Sequence, residues 1–565
     1  MDWMNIETME DLKSVRQAGL EKIFPGYPRI AVGTSSCGIA VGGMQIHDMM
    51  QEIIKKEGHN ISLVKTGCIG YCREEPLISV SIPGKALVLL HKVSVQDAGA
   101  IISHVLQDTV PEDLVLCTIS DWDHITGTLT YGDRFNSFPD YHDIRFFKHQ
   151  TKVILRDCGF INPEDIDEYI AVGGYTAAAS VLTRWDPDAV IKEVKNSGLR
   201  GRGGAGFPAG LKWEITKKAP GTEKFIVCNA DEGDPGAYMN RNEMESDPHM
   251  LLEGLLIGAY AMDIHEGLIY IRAEYPLAIH RLTVALDQAR EYGLLGKNIL
   301  NTGFDFDIQV AIGAGAFVCG ESTALAASIE GKIGRPRLRP PRLTEKGVWG
   351  RPTDLNNVET WCNVPVLIVK GADWYTKIGV KGNTGTKVFS LVGNVDNVGM
   401  VEVPLGTSLN TIVFDIGNGG AEGKKIKAVQ TGGPSGGCIP VSLFNTPVDY
   451  ENLNRVGTMM GSGGLVVMDQ DTNMVDIARY FINFASNESC GKCVPCREGL
   501  KHMLLILNRL MAGKGSAPDI GTLMILSDTI QKMSLCGLGQ TAPNPVITTL
   551  EYFSEEYGNL IREED

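Results

Sequence analysis

Residues 197–213 read SGLRGRGGAGFPAGLKW, and five glycines fall within ten positions of that stretch: Gly201, Gly203, Gly204, Gly206 and Gly210. Arg200, Arg202 and Lys212 are interleaved with them. Glycine opens positive φ to the backbone and lets N–H groups converge on an anion with no Cβ in the way. Cations beside such a nest add charge-assisted bonds to phosphate oxygens. The stretch therefore reads as a phosphate cradle rather than a solvated surface loop, which rarely unites glycine, arginine and flanking apolar residues. Gly201-x-Gly203-x-x-Gly206 also satisfies the dinucleotide fingerprint, but that fingerprint needs a strand before it and a helix after it. Here DPDAVIKEVKNSG precedes it, with Val190, Ile191 and Val194 at helical spacing, and Pro208 follows. An ordinary Rossmann turn fails this test of context.

Downstream, EKFIVCNADEGDPGA (223–237) is a strand running into an acidic turn, with Asn229, Asp231, Glu232 and Asp234 at its C-terminal end. Open α/β sheets bind ligands at such ends, and Glu232 and Asp234 stand as the candidate catalytic residues. Helix, strand and helix then alternate, as in a layered α/β domain. FDIQVAIGAGAFVCGESTALAASIEG (306–331) repeats the theme of strand, glycine turn and helix, with Glu321, Ser322 and Thr323 near the helix start. GKIGRPRLRPPR (331–342) is rich in cations and proline, and DLNNVETW (354–361) supplies Asn356, Asn357 and Glu359.

Flanking segments complete an α/β multidomain reading. Residues 1–108 form a small α/β module, with strands RIAVGT, NISLVKTG, PLISVSI and KALVLL and helices at 43–58 and 93–107. Residues 109–170 are expected to be an irregular surface connector, whose His124, His142 and His149 lack metal-like spacing. The nucleotide domain covers 171–383. Short strands and glycine turns over 384–470 fit a compact β-grasp-like module with no evident chemistry. Residues 471–565 form a helical bundle. In that bundle, Cys490-x2-Cys493-x2-Cys496 and a remote Cys536 supply four thiolates. Zinc would take two close pairs, whereas a run of three plus a distant fourth points to a 4Fe–4S cluster.

Composition sets the outer limits. The 565 residues are 43% apolar and 21% charged, ordinary for a soluble chain. No apolar run approaches the ~20 residues of a membrane span, and the first thirty residues lack an apolar signal core. A cytoplasmic location is expected. A net charge of −16 excludes general nucleic-acid binding and suits a subunit that docks other proteins. Thirteen cysteines, six of them clustered, point to metal rather than to disulfides. Cys117, Cys158, Cys362 and Cys438 are expected to be inert buried thiols.

GLRGRGGAGFPAGLKW, CNADEGDPGA, GAGAFVCGEST, NNVET and ESCGKCVPCREG together resemble, over residues 171–565, the flavin-bearing, NADH-oxidising subunit of respiratory complex I and its relatives in bifurcating hydrogenases and transhydrogenases. Domain order looks most like a hydrogenase beta subunit, without the cysteine-rich ferredoxin tail that many of these carry. The resemblance implies FMN on the glycine loop (Gly201, Arg202, Gly203, Gly204, Gly206), with its phosphate met by Lys212. Asn229, Asp231 and Glu232 would bond the flavin and ribityl, while Gly320, Glu321, Asn356 and Asn357 close the site. Phe207 would contact adenine, with Asp234 also on the nucleotide. Hydride would pass directly between NAD(P)H and FMN, the protein supplying orientation and electrostatics. Single electrons would then reach the cluster at Cys490, Cys493, Cys496 and Cys536.

Two departures from the family bear on specificity. GEET, usual in NADH-using members, is Gly320-Glu321-Ser322-Thr323 here, and Arg342 replaces an aromatic residue beside Arg337 and Arg339. Losing a carboxylate and gaining arginine near a ribose favours a 2′-phosphate, so NADP(H) use is expected, alone or beside NAD(H). The N-terminal module resembles a thioredoxin-like 2Fe–2S ferredoxin. Cys37, Cys68 and Cys72 match three of its ligands, and Val32 stands where the fourth should be. A cluster completed by another group and a degenerate docking module both stay open. Implied partners are iron–sulfur and thioredoxin-like electron-transfer subunits of a soluble complex, with ferredoxin a further candidate. Three alternatives remain: an NADH-only subunit of a non-bifurcating hydrogenase or formate dehydrogenase, a non-catalytic iron–sulfur assembly subunit, and a zinc-bearing regulator.

Overall fold

The computed structural model describes residues 5–135 and 137–561. Three five-stranded sheets and a C-terminal group of helices organise it. The central sheet runs in the order Gly296–Ile299, Phe304–Gly313, Glu266–Arg272, Phe225–Ala230, Thr353–Asn357. All its neighbours are parallel except the first pair. Register sets Asn357 beside Asn229 and Asn229 beside Tyr270, so the C-terminal ends finish along one edge. The chain leaves Phe225–Ala230 for strands on both sides of it, which creates a topological switch point at Asn229 and Asn357. Helix Pro248–Met262 is buried over nearly its whole length beneath this sheet. Trp361 of helix Val358–Lys370 stacks on Trp213, with centroids 5.5 Å apart. Thr360 on the same helix accepts from the Arg202 N–H at 2.8 Å, which ties that helix to the glycine loop.

The N-terminal sheet is mixed, in the order Ser62–Thr66, Arg29–Gly33, Ile78–Ser81, Leu87–Leu90, Val115–Ile119. Its amphipathic helix Gly43–Glu57 stops at Gly58, whose φ of 69° closes the last turn. The fifth strand lies beyond the expected module boundary, and the connector needs a larger correction. Phe146, Phe147 and Leu155 are buried, and Phe146, Phe147 and Phe160 share one core with Tyr71 of the first module and Phe389 and Leu391 of the third sheet. Irregular aromatic spacing masked this role, because the segment packs between two modules and shows no single periodic face. His124 pairs with Asp157 in the interior, an ordinary polar contact.

The third sheet, in the order Gly399–Pro404, Thr386–Gly393, Gly464–Asp469, Ile426–Thr431, Cys438–Pro440, carries one wide helical turn at Thr411–Ile416. Fully buried Lys387 pairs with Glu359 and joins this sheet to helix Val358–Lys370. Glu402 accepts from the backbone N–H groups of Ile154 and Leu155 at 3.0 and 2.9 Å. The first module is tied down by Arg29–Glu168 (2.7 Å) and by Arg281, which donates to Thr34. Buried charges without partners are costly, so these pairs fix how the modules sit. Helices Met474–Asn487, Val494–Met511, Ala517–Met533 and Asn544–Tyr552 make the C-terminal group. Among the described residues no helix is long and apolar enough to cross a membrane.

Candidate active site

The glycine loop lies between helices Pro187–Asn196 and Ala209–Lys218, with no strand before it. Its side chains alternate: Gly203, Ala205 and Phe207 face outward, while Arg202, Gly204 and Gly206 are buried. Gly206 has a φ of 63°, and a Cβ there would sit 2.7 Å from the Tyr450 ring. Gly204 has a φ of 113° with Gly461 backbone 3.0 Å from where its Cβ would be. Only glycine meets both demands. Gly203, Gly204 and Ala205 therefore bare their backbone to a cleft of about 300 Å³.

This cleft collects the ends of the central strands. Asn229, Asp231, Glu232, Asp234, Phe317, Gly320, Glu321 and Asn357 line it. Both Asp231 oxygens are buried without a hydrogen-bond partner, and burial lifts the carboxyl to about 7. Burial also lifts Asp234, to about 6, although its carboxylate accepts from Ser462. Acceptors without donors beside bare backbone N–H groups suit a ligand with hydroxyls at one end and a phosphate at the other, as FMN has. Other polar groups build the walls. Glu232 accepts from the backbone N–H groups of Asn240 and Arg241 (3.0 and 3.1 Å), and Glu321 accepts from those of Thr323 and Ala324 (2.9 and 3.0 Å). Asn357 caps its own helix and donates to Asn240 at 2.6 Å, and Asn229 donates to the Gly320 carbonyl.

Several expected contacts are displaced. Arg202 is fully buried, and its guanidinium donates to the carbonyls of Arg200, Thr384 and Thr386 and to the Tyr375 hydroxyl, which braces the loop from behind. Gly201, Gly206 and Asn356 do not line the cleft either. Gly201 accepts from Tyr450, and Asn356 bridges Lys212 and Asp354. Lys212 instead faces an adjoining cavity of about 790 Å³, along with Phe207, Ser322, Arg339 and Arg342. Four of the five expected nucleotide contacts thus meet there, and Asp234 stays in the first cleft. Ala205 lines both spaces.

Cys490, Cys493, Cys496 and Cys536 surround a small void with Pro336, Leu535, Val318 and Leu538. No three of these sulfurs lie within 4.8 Å of one another. That is wider than one zinc ion at about 2.3 Å from each sulfur allows. Burial pushes the Cys496 thiol up to about 11, so the thiolate form there waits on a metal. Val318 and Leu538 line this void and the cleft alike.

Sequence reasoning missed part of the cleft wall. Gly432, Ser435, Met459, Gly461 and Ser462 come from the third sheet's loops, and Gly537 and Leu538 from the C-terminal helices. The available signal was the glycine clusters GGPSGG and GSGG. With no polar side chain at fixed spacing, those clusters looked like plain turns.

Residues 194–366 match the profile of the Nuo51 FMN-binding domain, and residues 476–560 match the NADH-ubiquinone oxidoreductase-F iron–sulfur binding region. The NADP-reducing hydrogenase subunit HndC of Solidesulfovibrio fructosivorans is 53% identical over 410 residues, 73% of this chain and 83% of that protein. The NADH-quinone oxidoreductase-F protein of Escherichia coli K12 is 41% identical over 397 residues, 70% of this chain and 89% of that one. A crystal structure of an NAD+-reducing [NiFe]-hydrogenase in the H2-reduced state superposes with a TM-score of 0.66 at 25% identity, covering 98% of this chain and 90% of that one. With an FMN-binding domain, an iron–sulfur region and these relatives, the chain belongs to the NADH-quinone oxidoreductase-F family of FMN, iron–sulfur oxidoreductase subunits.

Proposed function

We propose that NADP(H), in preference to NAD(H), exchanges hydride with FMN in the Asp231 cleft, and that single electrons leave through a 4Fe–4S cluster on Cys490, Cys493, Cys496 and Cys536. The observation that carries this is the row of three compartments: Ala205 is common to the Arg342 cavity and the cleft, and Val318 and Leu538 are common to the cleft and the four sulfurs. FMN, where bound, supplies the exchange between two-electron and one-electron chemistry. The chain's own residues do the rest. Gly203, Gly204 and Ala205 offer backbone donors to phosphate, Asp231 accepts from ribityl hydroxyls, and Asp234 with Ser462 closes the far wall. Phe207 lies open for an adenine face, 39% exposed.

Support for the 2′-phosphate comes from charge. Ser322 presents no carboxylate, Arg339 stands 3.9 Å from Glu321, and the Arg342 guanidinium pairs with no acid among the described residues. The relative HndC is named as NADP-reducing. The proposed setting is a cytoplasmic, electron-bifurcating hydrogenase or transhydrogenase complex with iron–sulfur partner subunits and ferredoxin. Steady-state kcat/KM of the assembled complex for NADPH and NADH tests the preference. Hydrogen bonds to a charged group contribute about 1.5–3 kcal/mol, so Arg342→Ala should lower NADPH efficiency by roughly tenfold to a hundredfold. NADH efficiency should hold, and Ser322→Glu should move the ratio the same way. A wild-type complex indifferent to NADPH sinks the preference.

A further inference from the structure

The Sγ atoms of Cys37, Cys68 and Cys72 all lie within 4.8 Å of one another, Cys37 in the short helix Ser36–Ala40 after the first strand and Cys68 and Cys72 in the loop and helical turn after the second. Val32, at the position of the missing fourth cysteine, is buried in that sheet's core beside Ile30 and Ile46. The fourth polar group comes from elsewhere. Glu75 is buried three residues after Cys72, and its Oε1 lies 3.9 Å from Cys37 Sγ. Its Oε2 accepts from the Leu77 N–H at 2.9 Å, which aims the carboxylate. Space has been left for it, since a Cβ on either Gly33 or Gly38 would come within 3.3 Å of Oε2. Among the described residues no Lys, Arg or His forms an ion pair with Glu75.

Three thiols, one buried and two half-buried, converge with a buried carboxylate that no cation pairs among the described residues, a set of donors that a metal would bring into use. The carboxylate reaches Cys37 at 3.9 Å without lying within 4.8 Å of all three sulfurs at once. Three thiolates and a carboxylate can serve one tetrahedral ion or the two irons of a 2Fe–2S cluster, and iron against zinc per flavin separates the two. The site is also tied to the flavin cleft. Tyr238 reaches Cys72 Sγ at 3.6 Å, and Ser246 accepts from the Cys68 N–H at 3.1 Å. Helix Met239–Ser246, which these two residues bracket, carries Asn240 of the cleft wall.

We infer that Glu75 is the fourth ligand of a 2Fe–2S cluster held by Cys37, Cys68 and Cys72. The inference is independent of the nucleotide preference.

The test uses the full chain purified without oxygen, with bound FMN and the C-terminal cluster signal as internal evidence of folding. Iron and zinc per flavin, EPR of the reduced chain and the cluster's reduction potential are compared for wild type, Cys68→Ser, Glu75→Gln and Glu75→Cys. Wild type should hold about two more irons per flavin than Cys68→Ser. Glu75→Gln should lose or broaden the two-iron EPR signal. Glu75→Cys should keep the irons, change the g values and lower the potential, because a thiolate donates more charge than a carboxylate. An EPR signal and potential unmoved in both Glu75 variants would overturn the assignment. So would zinc in place of iron, or equal iron in wild type and Cys68→Ser.

Discussion

Cys536→Ser is expected to cut electron delivery from NAD(P)H to a one-electron partner by at least about a hundredfold while FMN stays bound. Loss of residues that merely support a metal ligand already costs about 10–100-fold, and here a ligand itself is exchanged. Cys536 is the lone thiol contributed by a second loop, so the other three sulfurs cannot close the site around a cluster. Hydride exchange at the flavin should survive, because Cys536 does not line the cleft, which shares Val318 and Leu538 with the void around the four sulfurs. Rapid-mixing absorbance of flavin reduction, beside EPR and turnover with a one-electron acceptor, separates the two steps. Cys117→Ser, buried in the N-terminal sheet and part of the lining of neither space, serves as the control for a buried thiol. Should the cluster signal and the acceptor rate stay at wild-type level in Cys536→Ser, the four-thiolate assignment is wrong.

Asp231→Asn should act in opposite directions on the empty and the loaded protein. Its carboxyl sits at about 7 against an ordinary 3.8, chiefly because it is buried. A carboxyl raised on folding takes up a proton, so ionising it weakens the fold progressively as pH climbs from 3.8 to about 7. Above that the penalty is complete, and below 3.8 it vanishes. Removing the charge should therefore stabilise the flavin-free chain at pH 8 by about 1–3 kcal/mol, with little change at pH 4. FMN binding should weaken by about tenfold, since an ionised acceptor for the ribityl hydroxyls is lost. Thermal unfolding at the two pH values and a fluorescence titration of FMN give both numbers. A flavin-free variant less stable than wild type at pH 8 would refute the reading of Asp231.

The sequence disclosed whatever rests on local pattern. Helix Gly43–Glu57 with its Gly58 stop, strand Phe225–Ala230 running into the acidic turn, and the helices around Cys490 all follow from periodicity or fixed spacing. Phe207, Ser322, Arg339 and Arg342 come from separate stretches of the chain and share one cavity. What stayed hidden depends on distant segments meeting. Arg202 looked like a phosphate ligand because it sits among glycines, yet carbonyls from residues 384 and 386 claim its guanidinium. The loops near Gly432 and Gly461 complete the cleft with glycine backbone and with isolated side chains such as Ser435, Met459 and Ser462, which carry no fixed spacing that the letters could show. Residues 109–170 looked like a surface connector because their aromatics face two modules at once.

The cleft takes residues from the glycine loop, three central strands, two loops of the third sheet and finally Leu538. That last wall emerges from the ribosome long after the glycine loop has been made. If FMN takes this cleft as proposed, a chain ended before Leu538 lacks one of the walls around the yellow chromophore, and the colour then reports on how far translation has gone.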